Sequence, residues 1–287
     1  MLRVPVVAVV GVGRNVGKTV VAEALISGLV KLGLKVAAAK HIAESHFTFD
    51  PTGTDTRRFA ESGASQVLAV TGAEVVNIFK TDVSALNLEA LVEMLEPVDL
   101  LVLEGFKKLV MQRGDVAKII VSKDVNDIFN LLAIVQGPVV AIAGGVASVD
   151  EAKLRETGVR LLRLPEGVAE LVELVYDYYR AQHALVETVG SLGGLDCGDC
   201  GYKDCNTHAK AILAGRSSLG RCTALQDGRD VLVTVGGVRL SMNRFVKEII
   251  RKTILGMMSS LRGVEIRGDE ELEITIRRKF AESTQRD

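Results

Sequence analysis

The chain has 287 residues, 48% apolar and 25% charged, a balance that fits a folded globular protein of about two domains and excludes a disordered one. The net charge is −1, with 35 basic against 36 acidic side chains, and no Lys/Arg-dense face or tail stands out, which argues against nucleic acid or an anionic membrane as the main partner. No apolar run approaches the length of a membrane helix and the first is too short for a secretory signal, so a cytoplasmic protein is expected.

Residues 4–10 are an apolar run expected to form a buried strand, and GVGRNVGKT follows at once over 11–19. This is a glycine-rich phosphate loop. Gly11, Gly13 and Gly17 let the backbone turn tightly and aim successive N–H groups at an anion, with Arg14, Asn15 and Val16 completing the cradle. Lys18 can reach the β- and γ-phosphates, and the Thr19 hydroxyl can ligate Mg²⁺. Apolar spacing predicts a helix over 18–32, which puts Thr19 and Val20 in its first turn and turns its positive end toward the same phosphates. Five residues separate Gly11 from Gly17-Lys18, one more than the usual pattern.

Beyond the loop, short β-rich runs alternate with amphipathic segments. Further strands are predicted at 35–40, 66–70, 75–79, 100–103, 118–121, 139–143 and 160–162, and helices at 54–62, 88–95, 126–135 and 166–182. Near-continuous Val, Ile, Leu and Ala strands with helices between them indicate an α/β fold, a mostly parallel P-loop NTPase sheet covered on both faces. Ligands then bind at the carboxyl ends of the strands, where the Gly11 loop sits.

The second strand ends in Lys40 and His41, and the loop that follows carries His46, Asp50 and Asp55. Asp50 precedes Pro51 and Asp55 opens a helix, so each suits a turn or cap as well as a metal; Asp55 is the better candidate for holding Mg²⁺ or positioning water. The apolar strand VDLLVLEGF over 98–106 ends in Glu104, a carboxylate expected beside the phosphate loop, where it can hold Mg²⁺ directly or through water.

All four cysteines fall within 26 residues, as Cys197, Cys200, Cys205 and Cys222. The spacing C-x₂-C-x₄-C-x₁₆-C suits a [4Fe–4S] cluster held by four thiolates. Tetrahedral zinc also takes four cysteines, but its ribbons show two short C-x₂-C pairs. After the cysteines, DVLVTVGGVRLSM over 230–242 alternates around Gly236-Gly237 as a hairpin would, and an amphipathic helix over about 244–261 and a strand over 271–276 complete a small α+β unit. The expected organisation is thus 1–183 for the nucleotide-binding domain, 184–225 for the iron–sulfur module and 226–287 for the α+β domain.

KHIAESHFTFDPTGTDTRRFAESGASQVL over 40–68 and DLLVLEGFKK over 99–108 resemble segments of the molybdopterin-guanine dinucleotide biosynthesis protein B (MobB) family. That family has a Lys-His strand end, then Asp-x-x-Gly-x-Asp-Ser/Thr-x-Arg, then a Val-Glu-Gly-Phe-Lys strand. The resemblance covers about 4–145. It implies a GTP-binding protein that assists attachment of GMP to molybdopterin, with molybdopterin or its guanylyltransferase as partner and a tendency to form homodimers. It also implies that Gly17, Lys18 and Thr19 hold phosphate and Mg²⁺, that Asp55 and Glu104 surround the metal, and that Lys107 lies near the bound nucleotide or cofactor. Two departures stand out: Arg14-Asn15-Val16 replaces a Ser/Gly-rich loop centre, and Gly144-Gly145 follows the 139–143 strand where a polar residue is expected. No Asn-Lys-x-Asp guanine reader occurs, Ser122-Lys123-Asp124 not being one, so the choice of GTP rests on resemblance.

The stretch 192–222 resembles the small iron–sulfur domain of electron-transfer and corrinoid iron–sulfur proteins, which implies a helix after Cys205 with His208 on it, as part of a partly exposed helix face and not a ligand. Its cluster could transfer electrons, dock the chain onto an iron–sulfur molybdo- or tungsto-enzyme that receives the cofactor, or hold the fold. Hydrolysis is expected to be slow, because no general base or arginine finger stands out; Arg14 is a candidate for charge stabilisation. Two rival functions remain. The five-residue loop spacing also suits an ATP-dependent carboxylate–amine ligase like dethiobiotin synthetase, and a nucleotide-gated adaptor for metallocentre assembly needs no useful turnover.

Overall fold

The computed structural model describes the chain except residues 1, 45–46, 80–85, 96, 145–150, 226–230, 241, 262–271 and 275–287. Two compact units divide it, residues 1–186 and 187–287.

In the first unit the chain runs β1 (Val6–Val10), α1 (Lys18–Lys31), β2 (Val36–Lys40), α2 (Asp55–Glu61), β3 (Gln66–Val70), β4 (Val75–Phe79), α3 (Leu88–Glu93), β5 (Leu100–Glu104) and α4 (Lys107–Val110). It continues through β6 (Ala117–Val121), α5 (Val125–Ile134), β7 (Val139–Ala143), α6 (Glu151–Arg155), β8 (Leu161–Leu162) and α7 (Val168–Gly190), whose last residues enter the second unit. Six strands form one parallel sheet in the order β2-β5-β1-β6-β7-β8. Every residue of β1 and β6 is buried, as expected of β-branched strands covered on both faces. Side chains alternate across the sheet. Val6, Ala8, Val10, Leu101 and Leu103 pack with Leu88, Leu91, Ile128 and Leu131 of α3 and α5. Val7, Val9, Leu100 and Val102 pack on the other face with Val21, Leu25 and Leu29 of α1 and Leu171 and Val175 of α7. A Cβ on Gly28 would lie 2.2 Å from Val172 Cγ2, so α1 and α7 can meet there only through glycine.

The strands at 66–70 and 75–79 stand where sequence puts them but leave the main sheet, pairing with each other as an antiparallel ribbon. Only Thr71–Glu74 joins them, and a parallel crossover needs a dozen residues or more. Two one-turn helices, α4 and α6, are too short to show a period in sequence. The connection expected from 183 onward is instead helix as far as Gly190, because Leu185 extends the apolar face of α7 and is buried. No helix among the described residues is long and apolar enough to cross a membrane.

The second unit holds α8 (Cys205–Leu213), a 3₁₀ turn (Leu219–Arg221), the antiparallel pair β9 (Thr234–Val235) and β10 (Val238–Arg239), and α9 (Arg244–Ser259). The hairpin and helix expected after the cysteines are both present. Most of the strand expected at 271–276 lies outside the described residues, and 272–274 carry no regular structure.

One buried charge sits in the lower part of the sheet. Lys118, on β6 opposite Ala8, is fully buried, and its ammonium donates to the carbonyls of Arg113 and Gln136. Burial pushes its pKa down to about 8 against the partial support of Asp115, whose own carboxyl is held low by its hydrogen bonds from Arg113. Below pH 8 the folded and unfolded chains both carry the proton; between pH 8 and 10.5 only the unfolded chain keeps it, so stability rises with pH there. In urea titrations, wild type should gain on the order of 1 kcal/mol relative to Lys118→Met between pH 7.5 and 10. A flat or falling difference contradicts this.

Candidate functional site

The site is built where β1, β5 and β2 end side by side. The loop after Val10 presses against β6, and a Cβ on Gly11 would sit 2.1 Å from the Val121 carbonyl oxygen. Gly13, Asn15 and Gly17 all take left-handed φ, at 84°, 56° and 104°, which folds the loop around its own N–H groups. Val16 anchors the loop, its Cγ2 being 3.3 Å from the position of a Gly11 Cβ. Lys18 then opens the fourteen-residue helix α1, whose amino end is positive. Its ammonium donates to the Gly13 carbonyl at 2.7 Å, so the side chain lies across the loop.

Register brings the other groups in. Glu104 ends β5 beside Val9 on one side and Lys40 on the other. The Thr19 hydroxyl lies 3.0 Å from both Glu104 carboxylate oxygens. Lys40 Nζ is 3.2 Å from Glu104 Oε2 and donates to Thr19 Oγ1 at 3.3 Å. The Glu104 side chain is only 14% exposed, so this triad sits partly out of water. Phe106 follows with φ of 51°, costly for a bulky residue, and it meets the His41 ring edge-on at 5.6 Å. Lys107 begins α4 and is exposed.

A hydroxyl and a carboxylate at this spacing are the hard oxygen donors that Mg²⁺ takes. The structure brings Thr19 and Glu104 together; it does not bring Asp55 to them. Asp55 is 82% exposed on α2, with Arg58 at 3.2 Å as its partner. Asp50 is buried and accepts from the hydroxyls of Thr54 and Thr56, binding its own loop together. Arg14 pairs with Glu44 at 3.2 Å on the surface, and Val20 points to solvent. His46 and Gly145 lie outside the described residues. Asp124 caps α5 through the Asn126 N–H, a structural use of the Ser122-Lys123-Asp124 stretch. Lys40 stands at the end of the second strand, as expected from sequence, but its contacts depend on β2 lying beside β5 and have no sequence signal.

The cysteines form a second centre. Cys197, Cys200, Cys205 and Cys222 all line one cavity in the second unit, with Leu195, His208 and Thr223. Asp196, at a left-handed φ of 45°, accepts the Cys205 N–H at 2.7 Å, and Asp204 caps α8 through the Thr207 N–H. Arg221 donates to the Cys200 carbonyl at 2.9 Å and lies over the Tyr202 ring. Tyr202 in turn stacks on His208 at 4.7 Å. The expectation of a partly exposed His208 is corrected: it is 1% exposed, bonded to Ser217 at 3.0 Å, because Tyr202 covers the face that α8 would otherwise show to water.

The donor set fits an iron–sulfur cluster. Cys197, Cys200, Cys205 and Cys222 line one and the same cavity, and four thiolates are the ligand set that a [4Fe–4S] cluster takes. The Thr223 hydroxyl is buried beside this cavity without a hydrogen-bond partner, ready to bond to sulfur. Gly193 shapes one wall, since a Cβ there would strike Ala224 at 2.4 Å. Burial pushes the Cys205 thiol pKa up, so its proton must be displaced on metal binding.

A parallel sheet with a glycine loop and Lys-Thr between β1 and α1, and a carboxylate ending the neighbouring strand, defines the P-loop nucleotide-binding class. Residues 6–143 match the model of the family Molybdopterin guanine dinucleotide synthesis protein B. Residues 192–224 match the model described as "Putative Fe-S cluster". Among solved structures, a molybdopterin-guanine biosynthesis protein B (mobB) is 21% identical with a TM-score of 0.46, covering 61% of this chain and 99% of that one. Bacillus subtilis MobB is 22% identical, with TM-score 0.46 and coverage of 60% and 96%. A MobB homolog from Bacillus stearothermophilus is 16% identical, with TM-score 0.41 and coverage of 61% and 98%. No curated protein matches the chain.

Proposed function

We propose that this chain binds Mg²⁺–GTP through its first unit and acts as an accessory protein in making the guanine dinucleotide form of a molybdenum or tungsten cofactor. The observation that carries this reading is the Thr19–Glu104 pair at 3.0 Å, two residues past the end of the 11–17 loop, in a MobB-like domain. The loop N–H groups and the amino end of α1 bind the phosphates, and Lys18 swings from the Gly13 carbonyl to the β/γ oxygens. Thr19 and Glu104 hold Mg²⁺, which when bound neutralises and orients the phosphate tail. Turnover is slow: Arg14 is tied to Glu44, and the described site offers no base aimed at a γ-phosphate.

Cys197, Cys200, Cys205 and Cys222 hold a [4Fe–4S] cluster, which supplies either electron transfer or a docking point for the iron–sulfur enzyme that receives the cofactor. The partners are molybdopterin or its guanylyltransferase, and a second copy of the chain. A direct test follows GMP transfer to molybdopterin by a guanylyltransferase, with this chain or its Lys18→Ala variant added. Stimulation by wild type alone supports the reading. Equal rates with wild type, variant or no addition contradict it.

A further inference from the structure

We propose that Lys40 is an internal cation that holds the metal position of the nucleotide site, so that Mg²⁺ must displace it from Thr19 and Glu104. The inference rests on the nucleotide reading above and deepens it.

Neighbouring parallel strands put Lys40 and Glu104 at paired positions, and the lysine stem brings Nζ to 3.2 Å from Glu104 Oε2. The same ammonium donates to Thr19 Oγ1 at 3.3 Å. The Thr19 proton is directed at the Glu104 carboxylate, so Lys40 occupies lone-pair density on the hydroxyl that faces a cation. One hydroxyl oxygen and one carboxylate are thus shared by the two groups that would bind Mg²⁺ and by an ammonium already in place. A divalent ion on that oxygen lies so close to Nζ that the two charges repel strongly in a half-buried site, and both cannot stay. Lys40 is 54% exposed, so its head can swing into solvent at little steric cost. With Lys40 in place, Glu104 no longer presents a bare negative charge to a phosphate tail.

The consequence is a linkage. Because Lys40 substitutes for the metal, it should support nucleotide binding when Mg²⁺ is absent and oppose Mg²⁺ when it is present. The experiment measures the affinity of the full chain for a fluorescent GTP analogue in EDTA and across a Mg²⁺ titration. In Lys40→Met the ratio of EDTA to saturating-Mg²⁺ dissociation constants should rise about tenfold over wild type, within the usual range of coupling between two sites. The Mg²⁺ midpoint should fall correspondingly. Lys40→Gln keeps a polar side chain without the charge and should show the same change, so the test survives a folding defect in the methionine variant. An unchanged or smaller ratio in variants that bind the analogue overturns the Lys40 proposal alone. Failure of wild type to bind the analogue at saturating Mg²⁺ overturns the nucleotide reading and this proposal with it.

Discussion

Lys18→Ala should weaken Mg²⁺–GTP binding at least 100-fold, about 2.7 kcal/mol, while leaving the fold intact. The lysine is the one ammonium on the first turn of α1, and its present partner is a single carbonyl, that of Gly13 at 2.7 Å. Losing that bond removes about 1 kcal/mol or less at an exposed position, so thermal unfolding should barely move. Charge-assisted bonds to phosphate are worth roughly twice a neutral pair and are made only with nucleotide bound. Thr19→Ala separates the metal contribution. It deletes the hydroxyl shared by Glu104 and Lys40, so Mg²⁺ should cease to strengthen binding while metal-free affinity changes little. Titration calorimetry with and without Mg²⁺ reads both effects, and wild-type affinity in Lys18→Ala would remove the loop from the binding site.

Cys222→Ser should empty the second centre of iron. Anaerobically purified wild type should be brown with about four iron per chain, and the variant colourless with little. Cys222 is 5% exposed and lines the cavity with the other three cysteines, and serine there replaces a soft thiolate by a hydroxyl that ligates iron far more weakly. Metal binding is folding energy in a module this small, and chelation should melt α8 while the parallel sheet persists. Wild type carrying one zinc and no iron overturns the cluster assignment.

Much of the fold was legible because parallel strands announce themselves. Val139–Ala143 stands where its apolar run predicts, because five residues rich in Val and Ile between turn signals are the right length for a strand and too short for a helix. The loop at 11–19 was equally plain, because strand, glycines, Lys-Thr and helix each have their own signal. Contacts set by sheet order were not. Lys40 meets Glu104 because β5 inserts between β2 and β1, an order that no local spacing encodes. Asp55 is a different case: motif position points to metal, while in the structure its exposed carboxylate pairs with Arg58 one turn along its own helix. His208 was misjudged because the covering ring, Tyr202, comes from the loop before α8 and adds no helical period.

Equilibrium dialysis of the full chain with Mg²⁺–GTP, in competition with Mg²⁺–ATP, tests the central claim most directly. The account predicts one guanine nucleotide bound per chain, retained against excess ATP and lost in Lys18→Ala. No guanine nucleotide bound, its displacement by ATP, or binding indifferent to Lys18 would contradict it.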